Sequence, residues 1–254
     1  MFKELYQYRE LLKTSVSKEI RGKYKGSFLG VLWSFVNPLL QTIIYSIVFS
    51  ILLRNDMDHY TTFIVIGVLS WTWFTTSISG GTNCVVINGG IIKKVYFPRE
   101  ILPISIVTSG MINYLISCLI IFIFLAFTGI GFSLYMLYLP LIMIVQYILQ
   151  LGILFITCSV NAYIRDAEYI INFFVNMAFY GTPILYASSM FGKYANILKL
   201  NPMTTIINSY RDIFYYQTTP NFYALAIVFL ASLLLLIIGY AIFKKLEKGF
   251  AEEV

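Results

Sequence analysis

Residues 26–38 read GSFLGVLWSFVNP, and they decide how the rest of the chain is read. Seven basic residues lie just before them: Lys3, Arg9, Lys13, Lys18, Arg21, Lys23 and Lys25. Apolar residues continue after them to Leu53. A basic amphipathic segment thus feeds into a run long enough to cross the hydrocarbon core, which takes roughly 20 apolar residues. Composition agrees. The 254 residues are 59% hydrophobic and 12% charged, with mean hydropathy +0.78, whereas a soluble domain carries about 25% charge. The sequence therefore describes an integral, all-α membrane protein.

Six apolar runs qualify as spans: 28–53, 61–87, 104–127, 134–160, 169–186 and 222–243. Asn172, Asn176 and Pro183 interrupt the fifth. The expected organisation is an N-terminal interface helix over 1–27 and one six-span domain over 28–254. Of the 18 basic residues, 14 fall at the two ends and in the loops after the second and fourth runs, and only Arg54, Lys193, Lys199 and Arg211 fall on the other side. Basic residues stay on the cytoplasmic side, so both termini are expected there, in a multi-pass protein of the cytoplasmic (inner) membrane. The net charge of +6 belongs to this topology and does not imply a nucleic-acid partner. The first apolar run is too long for a signal-peptide core, so the N-terminus is expected to be retained. Cys84, Cys118 and Cys158 stand singly without metal-ligand spacing and read as small buried hydrophobes.

Phe2, Leu5, Tyr8, Leu12, Val16 and Ile20 recur every three or four residues. This is the stripe of a helix lying in the headgroup plane, serving either as a plain anchor or in gating and lipid-headgroup capture. Two connections carry more than topology. Residues 88–103, NGGIIKKVYFPREILP, mix Ile91, Ile92, Val95, Tyr96 and Phe97 with Lys93, Lys94, Arg99 and Glu100. Gly89-Gly90 is expected to break the preceding helix, and Pro98 and Pro103 to punctuate the rest of the connection; a short amphipathic helix offered to a partner or to the interface fits this pattern. Residues 181–220 are too apolar for a solvated loop and too short for two further spans. Re-entrant helices fit if protein or a water-filled cavity covers them. Asn201-Pro202 would start the second of these. Arg165-Asp166 is either a solvated ion pair at a helix end or a contact at the cytoplasmic mouth.

Several chemistries are missing. No phosphate-binding loop occurs; Gly22-Lys23-Tyr24-Lys25-Gly26-Ser27 has the wrong order. His59 is the single histidine, so a His-based catalyst or metal site is not expected. The spans hold no acidic residues, which argues against an ion-coupled carrier. Asp166 with Glu168, or Asp212 with Arg211, does not resemble a catalytic centre. Aromatic residues make up 17% of the chain. Tyr45 and Phe49 share a face of the first span. Trp71, Trp73 and Phe74 gather on the second, and Phe173, Phe174 and Tyr180 on the fifth. Each is either core, lipid contact or the lining of a passage on which sugar rings stack.

Five strings in order carry a resemblance: RGKYKGSFLGVLWSFVNPLL (21–40), IIKKVYFPREILP (91–103), YIRDAEYI (163–170), TPILY (182–186) and NPMTTIINSYRDI (201–213). The chain resembles, over essentially its whole length, the membrane permease of ABC-type-2 exporters, in the branch that moves lipid-linked polysaccharides such as O-antigen or teichoic acid. The resemblance implies a homodimer of six-span subunits paired with two ATP-binding cassette subunits, a lipid-linked glycan substrate, and no cofactor on this chain, with ATP and magnesium held by the partner. It makes residues 91–100 the coupling helix, from Ile91 through Pro98 to Glu100, and the stretch with Pro183, Asn201 and Pro202 the outer gate. Aromatic side chains would line the channel, and Arg21, Lys23 and Lys25 would attract the pyrophosphate of the lipid carrier. Ser27 and Asn37 stand where this branch varies. The alternatives are an ABC-type-2 exporter of a drug or lipid, favoured less by the 91–103 string, and a membrane enzyme of glycan assembly, whose carboxylate cluster is missing.

Overall fold

A backbone in hydrocarbon must satisfy its own N–H and C=O groups, so long apolar runs fold as helices. The computed structural model describes residues 6–22, 26–28, 30–49, 57–188, 190, 195–198 and 200–254, and these are helical with no strand among them. The principal helices are α1 (Arg9–Gly22), α2 (Trp33–Ile47), α3 (Tyr60–Thr82), α4 (Ile101–Thr128), α5 (Leu139–Tyr163), α6 (Ala167–Tyr180), α7 (Pro202–Phe214) and α8 (Phe222–Leu246). Four helices are long and apolar enough to span: 60–82, 101–128, 134–163 and 222–253. The helices found in the first and fifth expected runs are shorter, at 15 and 14 residues, and residues 50–56 lie outside the described residues.

The hub is α3. It packs against α2, α4, α5, α6 and α7, and 72% of its apolar window is buried, against 22% for the last span. A helix surrounded by protein needs no polar face, which is why the α3 sequence shows little sidedness. On its flank α5 and α8 form an intimate pair. A Cβ at Gly152 would lie 2.8 Å from the backbone N of Leu236, and one at Gly239 would collide with the carbonyl of Gly152. Backbone therefore meets backbone here, the close approach that small residues permit in membranes.

The region after α3 differs from the expectation. The chain is interrupted at Asn83 and Asn88, and Gly89–Ile92 is itself one helical turn. The glycine at 89 serves close approach instead of breaking the helix, because a Cβ there would sit 3.1 Å from the Val254 side chain. Residues 93–100 are not helical; Pro98 restricts Phe97 to extended backbone. The expected amphipathic coupling helix is thus a single turn followed by an irregular strap. The start of α7 is as expected. Asn201 caps it by accepting from the Met203 N–H at 3.0 Å, and Pro202 occupies the first turn.

Ties within each end of the bundle define two sides. At the far end, Tyr215 hydrogen-bonds the Asp58 carbonyl, and Gln217 donates to the carbonyl of Ile130 at 2.7 Å. At the near end, Arg99 bonds the Glu247 carbonyl, and Tyr163 donates to the Leu246 carbonyl at 2.9 Å. The far end closes on Arg211, which is 1% exposed. Its guanidinium donates to the carbonyls of Pro183 and Ile184, the latter at 2.7 Å, and lies 3.4 Å from the Phe63 ring centroid. Gly67 makes room for it: a Cβ there would be 2.9 Å from Nη2. Replacing Arg211 by Met keeps the bulk and strands both carbonyls, at a cost of about 1–3 kcal/mol each. Arg211→Met is expected to melt well below the parent chain on heating in detergent; coincident melting curves would show that this contact carries no stability.

Candidate functional site

Between α2, α3 and α6 lies a groove of about 360 Å³. Its aromatic members are Tyr45, Trp71, Phe179 and Tyr180. Phe179 is central, with ring centroids 5.7 Å from Tyr45, 6.0 Å from Trp71 and 5.3 Å from Tyr180. Asn37, Gln41, Thr72, Thr75 and Asn176 add neutral polar groups, and among the described residues no charged side chain lines the groove. Trp71 stands midway along α3, so the groove sits at mid-depth in the bundle. Flat apolar rings beside amides and hydroxyls suit a polyhydroxylated chain: C–H faces stack on the rings and hydroxyls exchange hydrogen bonds with the amides.

The aromatics expected to act together divide. Tyr45, Trp71 and Tyr180 meet in the groove. Phe74 is buried against Trp71, with centroids 4.9 Å apart. Trp73 turns to the other side of α3, stacks on Tyr114 at 5.3 Å and lines a second cavity, of about 440 Å³, with Asn37, Asn113 and Ser117. Asn37, Pro38, Thr72 and Thr76 border both cavities, which therefore flank the contact of α2 with α3. Phe173 and Phe174 meet edge to face, with centroids 5.9 Å apart, on the exposed side of α6, and Phe49 is half-buried against the core. Sequence reading missed Phe179 and the amides. Their signal was helical spacing: Asn37, Gln41 and Tyr45 are four apart, and Asn176 precedes Phe179 and Tyr180 by three and four.

At the near end, the strap carrying residues 91–100 is anchored to the end of α8. Glu100 is 1% exposed and accepts from Lys244 Nζ at 2.6 Å and from the Tyr240 hydroxyl at 3.3 Å. Lys244 also reaches Glu247 at 2.9 Å. The Arg99 guanidinium lies 5.9 Å from the centre of the Phe250 ring. Phe97 and Ile92 are buried, whereas Ile91, Val95 and Tyr96 are exposed, Tyr96 at 86%, and Lys93 and Lys94 are exposed beside them. Pro98 and Arg99 line a cavity of about 180 Å³ with Lys244 and Glu247. The strap thus faces outward with apolar and basic side chains and inward with a buried carboxylate. α1 joins this end through Lys18, whose Nζ donates to Asn88 Oδ1 at 3.3 Å. Tyr8, Leu12, Val16 and Ile20 are half-buried there, and Arg21 is exposed. Phe2, Leu5, Lys23 and Lys25 lie outside the described residues.

At the far end, the residues expected at a gate come together. Asn201 Nδ2 donates to Thr182 Oγ1 at 2.8 Å, which ties the Pro183 turn to the start of α7, next to Pro202. The same turn is held by Arg211 near the other end of that helix. A buried chain links α7 back to the hub: the Tyr210 hydroxyl donates to Gln146 Oε1 at 2.9 Å, and Gln146 Nε2 donates to the Ser70 carbonyl at 2.9 Å.

The sequence profile of the ABC-2 type transporter family matches residues 10–215. An O-antigen export system permease protein RfbA of Myxococcus xanthus is 31% identical, over 100% of this chain and 99% of its own length. Two proteins of the same description from Klebsiella pneumoniae are each 36% identical, over 96% of this chain and 94% of theirs. The family profile covers most of the chain and the similarity runs from end to end in long apolar helices: this chain is a multi-pass membrane protein of the ABC-2 type transporter family, a transporter permease and not an enzyme.

Proposed function

We propose that this chain is the membrane subunit of an ATP-driven exporter that moves a lipid-linked polysaccharide, of the O-antigen or teichoic acid type, across the cytoplasmic membrane. The observation that carries the reading is the uncharged groove of Tyr45, Trp71, Phe179 and Tyr180 at mid-depth, in a chain similar over its full length to O-antigen export permeases. In this reading two copies pair with two ATP-binding subunits, which hold the ATP and magnesium, and this chain binds no cofactor. The α2 and α6 segments complete a six-span domain over 28–254. The turn at Pro183 and α7, begun by Asn201 and Pro202, form re-entrant gate elements between spans five and six. Residues 1–27 serve as the interface segment, and the basic charges of Arg21, Lys23 and Lys25 attract the phosphates of the lipid carrier.

The mechanism follows from the two ends. ATP binding closes the ATPase pair, which bears on the exposed Ile91, Lys93, Lys94, Val95 and Tyr96. The strap passes the movement to α8 through Glu100 and Lys244 and to α1 through Asn88. Near-end displacement opens a passage along the α2 and α6 face, and the sugar chain advances over the aromatic rungs. Each rung offers the chain a ring face and neutral hydrogen-bonding groups, enough to guide it without trapping it. Both termini and the strap lie in the cytoplasm and α7 on the outer side.

Three outcomes test this. Tyr45→Ala combined with Phe179→Ala should lower glycan export about tenfold while the complex with the ATP-binding subunit still copurifies; full export would remove the groove from the path. In the purified complex, Tyr96→Ala and Arg99→Ala should weaken copurification. Lys244→Met, which strands the Glu100 carboxylate, should leave ATP hydrolysis present but poorly linked to export; failure of the parent chain to associate with any ATP-binding subunit would refute the energy source. Finally, an impermeant maleimide should label Tyr216→Cys from outside intact cells and Lys248→Cys only after permeabilisation. The reverse pattern would invert the topology.

A further inference from the structure

A cavity of about 370 Å³ lies at the far end between α7 and the first turns of α8, away from the groove. Ligand pockets begin at roughly 300 Å³. Its walls differ in character. From α7 and the α8 cap come Thr204, Asn208, Asp212 and Asn221; along α8 the lining turns apolar, at Ile227 and Val228. Thr204 is 1% exposed, and its Oγ1 has no hydrogen-bond partner among the described residues. Asn221 spends its Oδ1 on the α8 cap, accepting from the Ala224 N–H at 3.1 Å, which leaves its amide nitrogen as a donor. Asn208 Nδ2 donates to Ser188 Oγ at 3.1 Å, which leaves its carbonyl oxygen as an acceptor.

Charge narrows the ligand. Among the described residues no Lys or Arg lines the cavity, and Arg211, next in sequence to Asp212, is spent on Pro183, Ile184 and Phe63. Burial raises the Asp212 carboxyl to about 6, opposed by the Asn221 main-chain N–H. A phosphate would meet a carboxylate and no cation. A zwitterionic phospholipid brings such a phosphate along with its ammonium. Neutral hydroxyls suit the site, because the carboxylate and the Asn208 carbonyl accept from them and the Asn221 amide and threonine hydroxyls donate to them, with no charged group needed on the ligand. Tyr223, 79% exposed at the rim, offers a ring for a sugar face.

We infer that this cavity binds a hydroxyl-rich, sugar-like head carried on an apolar chain, with Asp212 and Asn208 accepting from the hydroxyls, Asn221 and Thr204 donating to them, and the chain lying along Ile227 and Val228. The cavity holds such a head whatever the protein transports.

The test uses the full chain in phosphatidylcholine nanodiscs and labelled dodecyl maltoside at submicellar concentration. Saturable binding is expected, weakened about tenfold or more in Asp212→Asn, which loses hydrogen bonds to a charged group, and roughly two- to tenfold in Asn208→Ala, which loses a neutral one. Lys248→Ala, at the opposite end, should bind as the parent does, and unchanged melting of the variants separates loss of the site from loss of fold. A dodecyl polyoxyethylene ether should not compete. Competition by maltose alone would assign the head to a sugar unit free of the membrane; competition by alkyl glucosides only would assign it to a membrane-embedded glycolipid. Either supports the site. Equal uptake of sugar and polyoxyethylene amphiphiles by parent and variants, partition of an adventitious additive only, would overturn it, as would preference for dodecylphosphocholine.

Discussion

The far end of the molecule depends on one buried cation with no acidic side chain paired to it among the described residues. Arg211 is enclosed by two main-chain carbonyls and an aromatic face, an arrangement open to a guanidinium because its charge is delocalised and weakly hydrated. Burial lowers its pKa to about 9, so it stays protonated at neutral pH. The carbonyls it meets belong to the turn after α6, where helical hydrogen bonding has run out. The same contact therefore neutralises a helix end, fixes the turn and fastens α7 to α3. Gly67 and Phe63 on the hub and Pro183 in the turn all follow from housing this one side chain.

Electrostatics is arranged differently at the two ends. At the far end an isolated charge is held by dipoles and does not swing toward another partner without stranding two carbonyls. At the near end, Glu100, Lys244 and Glu247 form a shared set, in which a lysine has two acceptors within reach. Breaking a buried pair outright costs several kcal/mol, but exchange between two carboxylates costs far less. The near end suits an element that shifts, and the far end one that stays closed until the whole turn moves.

Much of this was legible in the chain. The membrane class, the long helices at 60–82, 101–128, 134–163 and 222–253, and the cap at Asn201 followed from apolar length and local turn chemistry, which act over short distances. The groove was only partly legible. Its members run from Asn37 to Tyr180, and which face of each helix turns inward is decided by packing on α3, which the sequence shows no sidedness to reveal. Trp73 and Trp71 are two apart and point to different cavities for that reason. Charge counting placed Arg211 on the side opposite the termini but gave no sign that it is buried, since composition carries no information on burial. Gly89 looked like a helix breaker because its actual neighbour, Val254, lies at the other end of the chain.

The pairing of α5 with α8 sets how movement can pass through the molecule. Where backbone rests on backbone at Gly152 and Gly239, and Phe155 wedges between Tyr240 and Phe243 one turn on, the two helices have little room to slide past each other and form one strut. One end of that strut carries Lys244, under the strap; the other carries Asn221, at the wall of the far cavity. The close contact therefore couples these two ends more tightly than α2 and α6 are coupled to α3, where Tyr45, Trp71 and Phe179 meet through ring edges and tilted faces.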